Sequence, residues 1–378
     1  MIQIKSVENS SDLKKFIDFP WEIYKADPHW VPPLKIAIKD LIDPKKNPFF
    51  KHAKIRTLLA LNENEKVVGR VLGSIDDNHN SFHGEKVAFF GFYESENNVE
   101  ITKALLDDLS AWARENGMTA LRGPVNLSTN NECGLLVEGF DDSPQVMMTY
   151  NPKYYETLFE EVGLVKAKDL YAYFLKTADK FRKVIYYQCE RLKRKSKIVM
   201  RPFDMKKFDE EVERVLQIYN DAWEKNWGFV PMTREEFHHM AKDMKLILDP
   251  NLAFIAEVDG EPAGFSLSLP DVNQVFAKVK NGKLLPFGIF KLLWNLKGPG
   301  RKSTINRCRI LTLGTKQKFR DLGLGPLFYV ETYSQALKLG YVGGEASWVL
   351  EDNNQMNRAL EKMCGNRTKV YRIYEMET

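Results

Sequence analysis

The stretch "TKQKFRDLGLGPLF" (residues 315–328) decides how this chain reads. Ahead of it runs "RCRILTLG" (307–314), apolar enough for a buried strand. Behind it, "FYVETYSQALKLG" (328–340) has helical spacing and closes in glycine. A glycine-rich turn between strand and helix exposes backbone N–H groups, and the helix dipole adds partial positive charge. Here Leu322, Gly323, Leu324 and Gly325 supply the amides, and Pro326 sits where a first helical residue tolerates a lost N–H. Arg320, Lys318 and Lys316 stand just upstream, so an anion has charge-assisted partners within reach. On these residues alone two readings remain: a tight turn that needs glycine for its backbone, and a cradle for an anion. The spacing is neither a P-loop's, since no Lys-Ser/Thr follows the last glycine, nor a Rossmann fingerprint.

The organisation of the chain supplies the context. At 378 residues it has the length of about two domains, and its halves carry the same order of elements. The first half runs from strand "IQIKSV" through helical segments to residue 42. A strand pair "IRTLLALNENEKVVGRVLGSID" follows, then strand "KVAFFGFY", helix "EITKALLDDLSAWARENG", a strand near 119–123, helix "KYYETLFEEVG" and strand "AKDLYAYFL". The second half repeats this with "KIVMRPF", two helices, the pair "LAFIAEVDGEPAGFSLSLP", "RCRILTLG", "PLFYVETYSQALKLG", "EASWVL", "QMNRALEKMCG" and "KVYRIYEM". Such alternation predicts mixed α/β domains. The glycines that close the matching helices, Gly117 and Gly163 against Gly340 and Gly365, stand 46 and 25 residues apart. The first half therefore holds 21 extra residues, and "NLSTNNECGLLVEGFDDSPQV" (126–146), rich in turn formers, is the expected insertion. Expected boundaries are a first domain over 1–176, a linker helix over 177–196 and a second domain over 197–378.

Composition excludes several classes. With 55 basic against 51 acidic residues, the net charge of +4 is too balanced for a nucleic-acid binder. Cys133, Cys189, Cys308 and Cys364 form no CxxC pair and read as free thiols. The adjacent His238 and His239 point apart on a helix, and no His/Cys/acid group has ligand spacing, so no metal is expected. "MIQIKSVENSSDLKKF" lacks the apolar core of a signal peptide, and no 18-residue apolar run is present, so a cytoplasmic location is expected.

Arg320-Asp321-Leu322-Gly323-Leu324-Gly325 resembles the [Q/R]xxGx[G/A] acyl-CoA pyrophosphate loop of the GNAT N-acyltransferase superfamily. So does its setting, with "SWVLEDNNQMNRALEKMCG" downstream placing Asn354 eleven residues before Gly365. The whole second half follows the family's element order. The first half shares the order but carries only "ESENNV" at the loop position, and so resembles a degenerate copy, as in a bacterial branch of tandem GNAT proteins. The resemblance implies two tandem GNAT-like domains, each a mixed, mostly antiparallel sheet flanked by helices. It also implies acetyl-CoA or another acyl-CoA as co-substrate. The thioester arm pairs with the backbone of 311–315 (Leu313 and Thr315 among it), Asn354 assists, and acyl transfer to an amine proceeds by direct attack. Trp223, Trp227 and Phe229, in "AWEKNWGFVPM", border the acceptor side in this reading.

Direct attack needs an amine freed of its proton, and the departing thiolate benefits from a donor. Alternation on "GEASWVLED" puts Glu345, Ser347, Val349 and Glu351 on one strand face, making Glu345 and Glu351 candidate bases. Glu361 stands where many family members carry a proton-donating tyrosine and serves only if burial raises its pKa. Cys308 and Cys364 offer a covalent alternative. A last feature is "NGKLLPFGIFKLLWNLKGPGRK" (281–302), apolar between lysines: a buried cover helix, or, over 284–296, a contact with a membrane interface. That choice bears on whether the acceptor is a small-molecule or a lipid amine, sphingoid-like for a long acyl chain. A silent acyl-CoA-binding module is the alternative outside enzymes.

Overall fold

The structure, a computed structural model, describes residues 2–179, 183–224, 226–283, 288–296, 298, 300, 304–363 and 365–378. Its first elements are β1 (Gln3–Ser6), α1 (Ser10–Asp18), α2 (Pro20–Ile23), α3 (Lys35–Leu41), β2 (Ala53–Leu61), β3 (Val67–Asp76), α4 (Asp77–His83), β4 (Val87–Ser95) and α5 (Val99–Glu115). They continue with β5 (Ala120–Gly123), β6 (Leu135–Glu138), α6 (Tyr154–Glu161) and β7 (Val165–Lys176). The second series is α7 (Lys183–Lys195), β8 (Ile198–Pro202), α8 (Phe208–Trp223), α9 (Arg234–Met244), β9 (Ala253–Val258), β10 (Glu261–Pro270), α10 (Asn273–Phe276) and α11 (Gly288–Leu296). It ends with β11 (Arg307–Thr315), α12 (Leu324–Leu339), β12 (Gly343–Leu350), α13 (Asn354–Lys362) and β13 (Asn366–Glu377). The expected order of strands and helices is present in both halves.

The chain folds as two compact units: residues 1–170 with 276–285 and 369–378, and residues 171–275 with 286–368. The expected division at 176 and 197 is thereby corrected. The chain's last strand falls in the first unit, where β13 pairs antiparallel with β5, Tyr374 opposite Gly123. The C-terminal part of β7, which reads as the first half's own final strand, falls in the second unit beside β12. Alternation along a strand cannot name its neighbour, so this exchange is invisible in the sequence.

In the first unit β1, β2, β3 and β4 pair antiparallel and β4 pairs parallel with β5. In the second, β8, β9, β10 and β11 pair antiparallel and β11 pairs parallel with β12. Both faces of each sheet are buried, which explains apolar runs such as "TLLAL". Leu58 and Ala60 pack against α5 while Leu59 and Leu61 pack with Phe16 and Ile17 of α1. In the second unit Phe254 and Ala256 join α12 residues, while Ala253 and Ile255 join those of α8 and α9.

β13 carries Tyr371, Ile373 and Tyr374, each no more than 1% exposed. Truncating a single large buried side chain costs about 3–5 kcal/mol. A chain ending at Thr368 is therefore expected to lose amide-exchange protection at Leu121–Gly123 while β9 keeps its protection. Retained protection on β5 overturns the strand assignment.

Candidate active site

The loop after β11 is held from one side. Gln317–Leu322 form a 3-10 turn. The Gln317 N–H donates to Asp221 Oδ2 at 2.6 Å and its side chain to Glu224 Oε2 at 2.8 Å. Arg320 Nη2 donates to the Ala222 carbonyl at 2.5 Å, so this side chain ties the loop to the end of α8. Lys318 and Lys316 both reach Glu261, at 2.5 and 3.6 Å. The three cations that the sequence aims at an anion are thus brought together, and each engages the protein. Gly323 then takes φ +69°, a left-handed conformation that favours glycine, and α12 begins without a side-chain cap. Leu322 is half-buried, Leu324 buried, Gly323 exposed. A Cβ placed at Gly323 or Gly325 would meet no atom within 4 Å, so the start of α12 faces open space. Pro326 is the third residue of α12 rather than the first.

Beside this loop two parallel strands part. β11 and β12 pair from Arg307–Gly343 to Ile310–Ala346. Against β10, Leu267 stands opposite Thr312 and Ser268 opposite Ile310, leaving Leu311 as an extra residue. Such a bulge bends its strand, and the pairing with β12 ends where it occurs. Thr312–Thr315, Leu313 and Thr315 included, keep β10 on one edge, and Leu311–Thr315 turn the other to the gap.

Across the closed end of the gap, Arg309 is fully buried opposite Glu345, itself 1% exposed. Arg309 Nε donates to Ser347 Oγ at 2.7 Å, and its guanidinium lies 4.6 Å from the Trp348 ring. Trp348 has φ +59°, rare for a bulky residue. This irregularity corrects the expected strand face. Glu345 and Ser347 accompany Arg309, but Val349 packs with Ala346 in the α12 core, and Glu351 lies beyond the strand in a turn, half-buried. Glu361 is exposed on α13, so the burial required of a proton donor is missing and that role is withdrawn. Asn354 is exposed as well. Its neighbours make the structural bonds: Asn353 Oδ1 accepts the Met356 N–H at 3.1 Å, and Asn357 Nδ2 donates to the Leu350 and Glu351 carbonyls at 3.1 and 3.2 Å. Asn357 Oδ1 also accepts from Tyr173 Oη at 3.1 Å.

Of the three residues expected on the acceptor side, Trp223 lies against β11, where a Cβ at Gly314 would come within 2.3 Å of its ring. Phe229 is buried against Tyr219, 5.5 Å between centroids, and belongs to the core; Trp227 is half-buried. Sequence reading missed Arg309, Trp348, Asn357 and Tyr173. A cation inside the apolar "RCRILTLG" was the one available signal.

No protein-family model matches the chain. Two bacterial proteins are similar along nearly their whole length. "Bacterial ceramide synthase" of Caulobacter vibrioides is 39% identical over 381 residues, covering 99% of this chain and 97% of its own. "Protein YghO" of Escherichia coli is 32% identical over 379 residues, covering 99% and 95%. A tandem GNAT protein from the clavulanic acid biosynthesis pathway superposes over 100% of this chain and 98% of its own, with TM-score 0.57 at 12% identity. A GCN5-related N-acetyltransferase from Sphaerobacter thermophilus does so over 100% and 95%, with TM-score 0.52 at 12% identity. These likenesses show the fold of tandem GNAT proteins. The chain belongs to one family with the Caulobacter and Escherichia proteins.

The first GNAT-like unit parts its strands in the same way and then fills the gap. β4 pairs with β5 only from Val87–Ala120 to Phe89–Arg122, and beyond that the irregular β4 carries Phe92 at φ +49°. The Phe90 carbonyl accepts the Val125 N–H at 2.7 Å, and the Phe92 N–H donates to Asn126 Oδ1 at 2.8 Å. Farther along, the Ser95 N–H donates to Tyr155 Oη at 2.9 Å and its carbonyl accepts from Tyr154 Oη at 2.8 Å. A Cβ at Gly91 would lie 2.1 Å from the Val125 carbonyl oxygen, so glycine is what admits this segment. Val125 and Asn126, the residue before the predicted insertion and its first one, thus occupy with the two tyrosines the edge that is open in the second unit.

Among the described residues no group of three or more His, Cys, Asp or Glu side chains is arranged to hold a metal ion. His238 Nε2 contacts Glu213 at 2.5 Å. Of the two cysteines considered for covalent chemistry, Cys364 lies outside the described residues, and Cys308 is 1% exposed with its thiol pushed up to about 12 by burial. Native protein at pH 8 is expected to leave Cys308 unalkylated by iodoacetamide, with modification appearing only after denaturation. Rapid native labelling at Cys308 reopens a thiolate mechanism.

Proposed function

We propose that this chain is an acyl-CoA-dependent N-acyltransferase that acts on a lipid amine of the sphingoid class, with the second unit carrying the chemistry. The observation that carries this reading is the parting of β11 and β12 beside the uncapped start of α12. An extended thioester arm would add to the open edge of Leu311–Thr315 as a strand does, and the pyrophosphate would meet the N–H groups of Leu324 and Gly325. Arg320 holds the loop in place through Ala222. Asn354, exposed at the start of α13, stands available to the cofactor.

The amine nitrogen attacks the thioester carbonyl carbon; the new C–N bond forms, the C–S bond breaks, and the proton lost by the amine ends on the departing thiolate. Positioning of the two substrates supplies much of the acceleration. Glu351, half-buried just past the end of β12, is the carboxylate best placed to take the amine's proton, directly or through water. Glu345, buried at the register position opposite Arg309, suits the support of the gap rather than proton traffic. Trp223 lines the acceptor side next to β11. The name of the Caulobacter relative supports a lipid acceptor, since a ceramide is a sphingoid amine acylated on nitrogen.

The test is CoA release from acetyl-, octanoyl- and palmitoyl-CoA with sphinganine and with soluble primary amines. Release with palmitoyl-CoA and sphinganine is expected. Because a side chain at Gly325 meets no neighbour, Gly325→Asp is expected to keep the melting temperature and lose at least about ten-fold in CoA affinity through charge repulsion. Glu351→Gln should lower kcat by about 10²-fold or more with affinity kept. Titration calorimetry should return one CoA per chain, since the first unit's gap is filled. Binding without turnover for any amine selects a silent acyl-CoA module, and no binding of any CoA species sinks the assignment.

A further inference from the structure

The helix α11 presents to solvent what a folded protein normally hides. Phe290 is 69% exposed, Trp294 60%, Leu293 50% and Ile289 36%. In a helix of 3.6 residues per turn, 289 and 293 stack, as do 290 and 294, so these four side chains form one strip. The buried-cover reading of this segment is therefore wrong for α11. In sequence the helix is preceded by Leu284, Leu285, Pro286 and Phe287, which lie outside the described residues and are apolar too.

Charge singles out the same stretch. Between Asp271 and Asp321 there is no acidic residue, and the stretch 281–302 that holds the helix carries five cations, Lys283, Lys291, Lys297, Arg301 and Lys302, in a chain whose totals are 55 and 51. The only nearly balanced composition of the whole chain is thus locally suspended around the apolar strip. A groove on another protein would explain the strip but not the acid-free run. A second copy would bring these five like charges against its own. An anionic bilayer surface accounts for both, taking apolar side chains to the acyl boundary and cations at the headgroups, where tryptophan is also favoured. Nine residues span about 14 Å at 1.5 Å each, half the thickness of a hydrocarbon core, and no described helix is long and apolar enough to cross a membrane.

We infer that α11 is an in-plane membrane anchor, docking the protein on bilayers rich in anionic phospholipid. The inference deepens the lipid-amine reading by giving that acceptor a route from the bilayer, yet binding is measured without substrate and survives if the acyl transfer proposed above fails.

The experiment is co-sedimentation of the full chain with vesicles of phosphatidylcholine alone and of phosphatidylcholine with one third phosphatidylglycerol. Binding to the anionic vesicles is expected to be about ten-fold tighter or more, and to weaken in high salt. The double variant Phe290→Ser/Trp294→Ser is expected to lose about ten-fold or more in vesicle affinity. Its melting temperature and its CoA release with soluble substrates should hold, because these side chains are already in water. Leu293→Ser, made separately, should show the same direction in smaller measure. Equal binding to both vesicle types, or unchanged binding by the double and single variants, overturns the inference. A concentration-dependent dimer that the double variant dissociates, without vesicle binding, assigns the strip to a second copy and overturns it as well.

Discussion

A parallel pair of strands does not separate in mid-course without a reason, because each lost rung leaves N–H and carbonyl groups to be satisfied elsewhere. In the second unit the separation of β11 from β12 is enforced from both sides. One extra residue, Leu311, is accommodated on β11 against β10, and a left-handed Trp348 breaks the alternation of β12. An L-residue in that conformation costs about 1–2 kcal/mol, and the cost is met locally. The Trp348 ring carries the Arg309 guanidinium on its face, and the shift it creates delivers Val349 to the α12 core beside Ala346. Everything proposed for the site depends on this parting: the open edge, the nearness of the α12 start, and the position of Glu351 past the end of the strand.

The first unit shows that parted strands are not by themselves a binding site. It keeps the irregular β4 and the short pairing with β5, and then satisfies the exposed backbone with Val125, Asn126 and two tyrosines. The insertion and the missing loop glycines belong together. Where the strand edge is taken by the chain itself, a pyrophosphate cradle serves no ligand, and an acidic "ESENNV" at that position costs nothing.

Much of this was legible in the sequence for a physical reason. Element order, the paired helix-closing glycines and the place of the insertion are one-dimensional signals set by local backbone preference and hydrophobic period. The loop glycines were legible because a left-handed turn admits few alternatives. What escaped depends on partners distant in the chain. β13 and β7 have the same alternating pattern whichever sheet they complete, so their exchange leaves no trace. The face of Glu345 was right as far as Ser347 and failed at Trp348, since a bulge is a tertiary compromise rather than a propensity. Asn354 was singled out by the family resemblance, while the buried Asn357 one turn later does the bonding, which only the packing of Tyr173 reveals.

The electrostatics of the loop also read differently once its partners are known. Lys316 and Lys318 are matched by Glu261, and Arg320 by a carbonyl at the C-terminal end of α8, where the helix dipole itself favours a cation. The acids that hold the loop, Asp221, Glu224 and Glu261, all lie outside the acid-free run from 272 to 320. These cations therefore fix the loop's geometry, and in the proposed reading an incoming anion is received chiefly by the oriented N–H groups of α12. Such a cradle is rigid, short-ranged and little screened by salt, unlike a lysine cluster. The same run of sequence thus divides its charges by setting: around the glycine loop they are neutralised into architecture, while the cations of 281–302 flank the exposed strip of α11, so that in the proposed reading a long-range, salt-sensitive attraction for an anionic surface stands beside a short-range, salt-tolerant one for the cofactor.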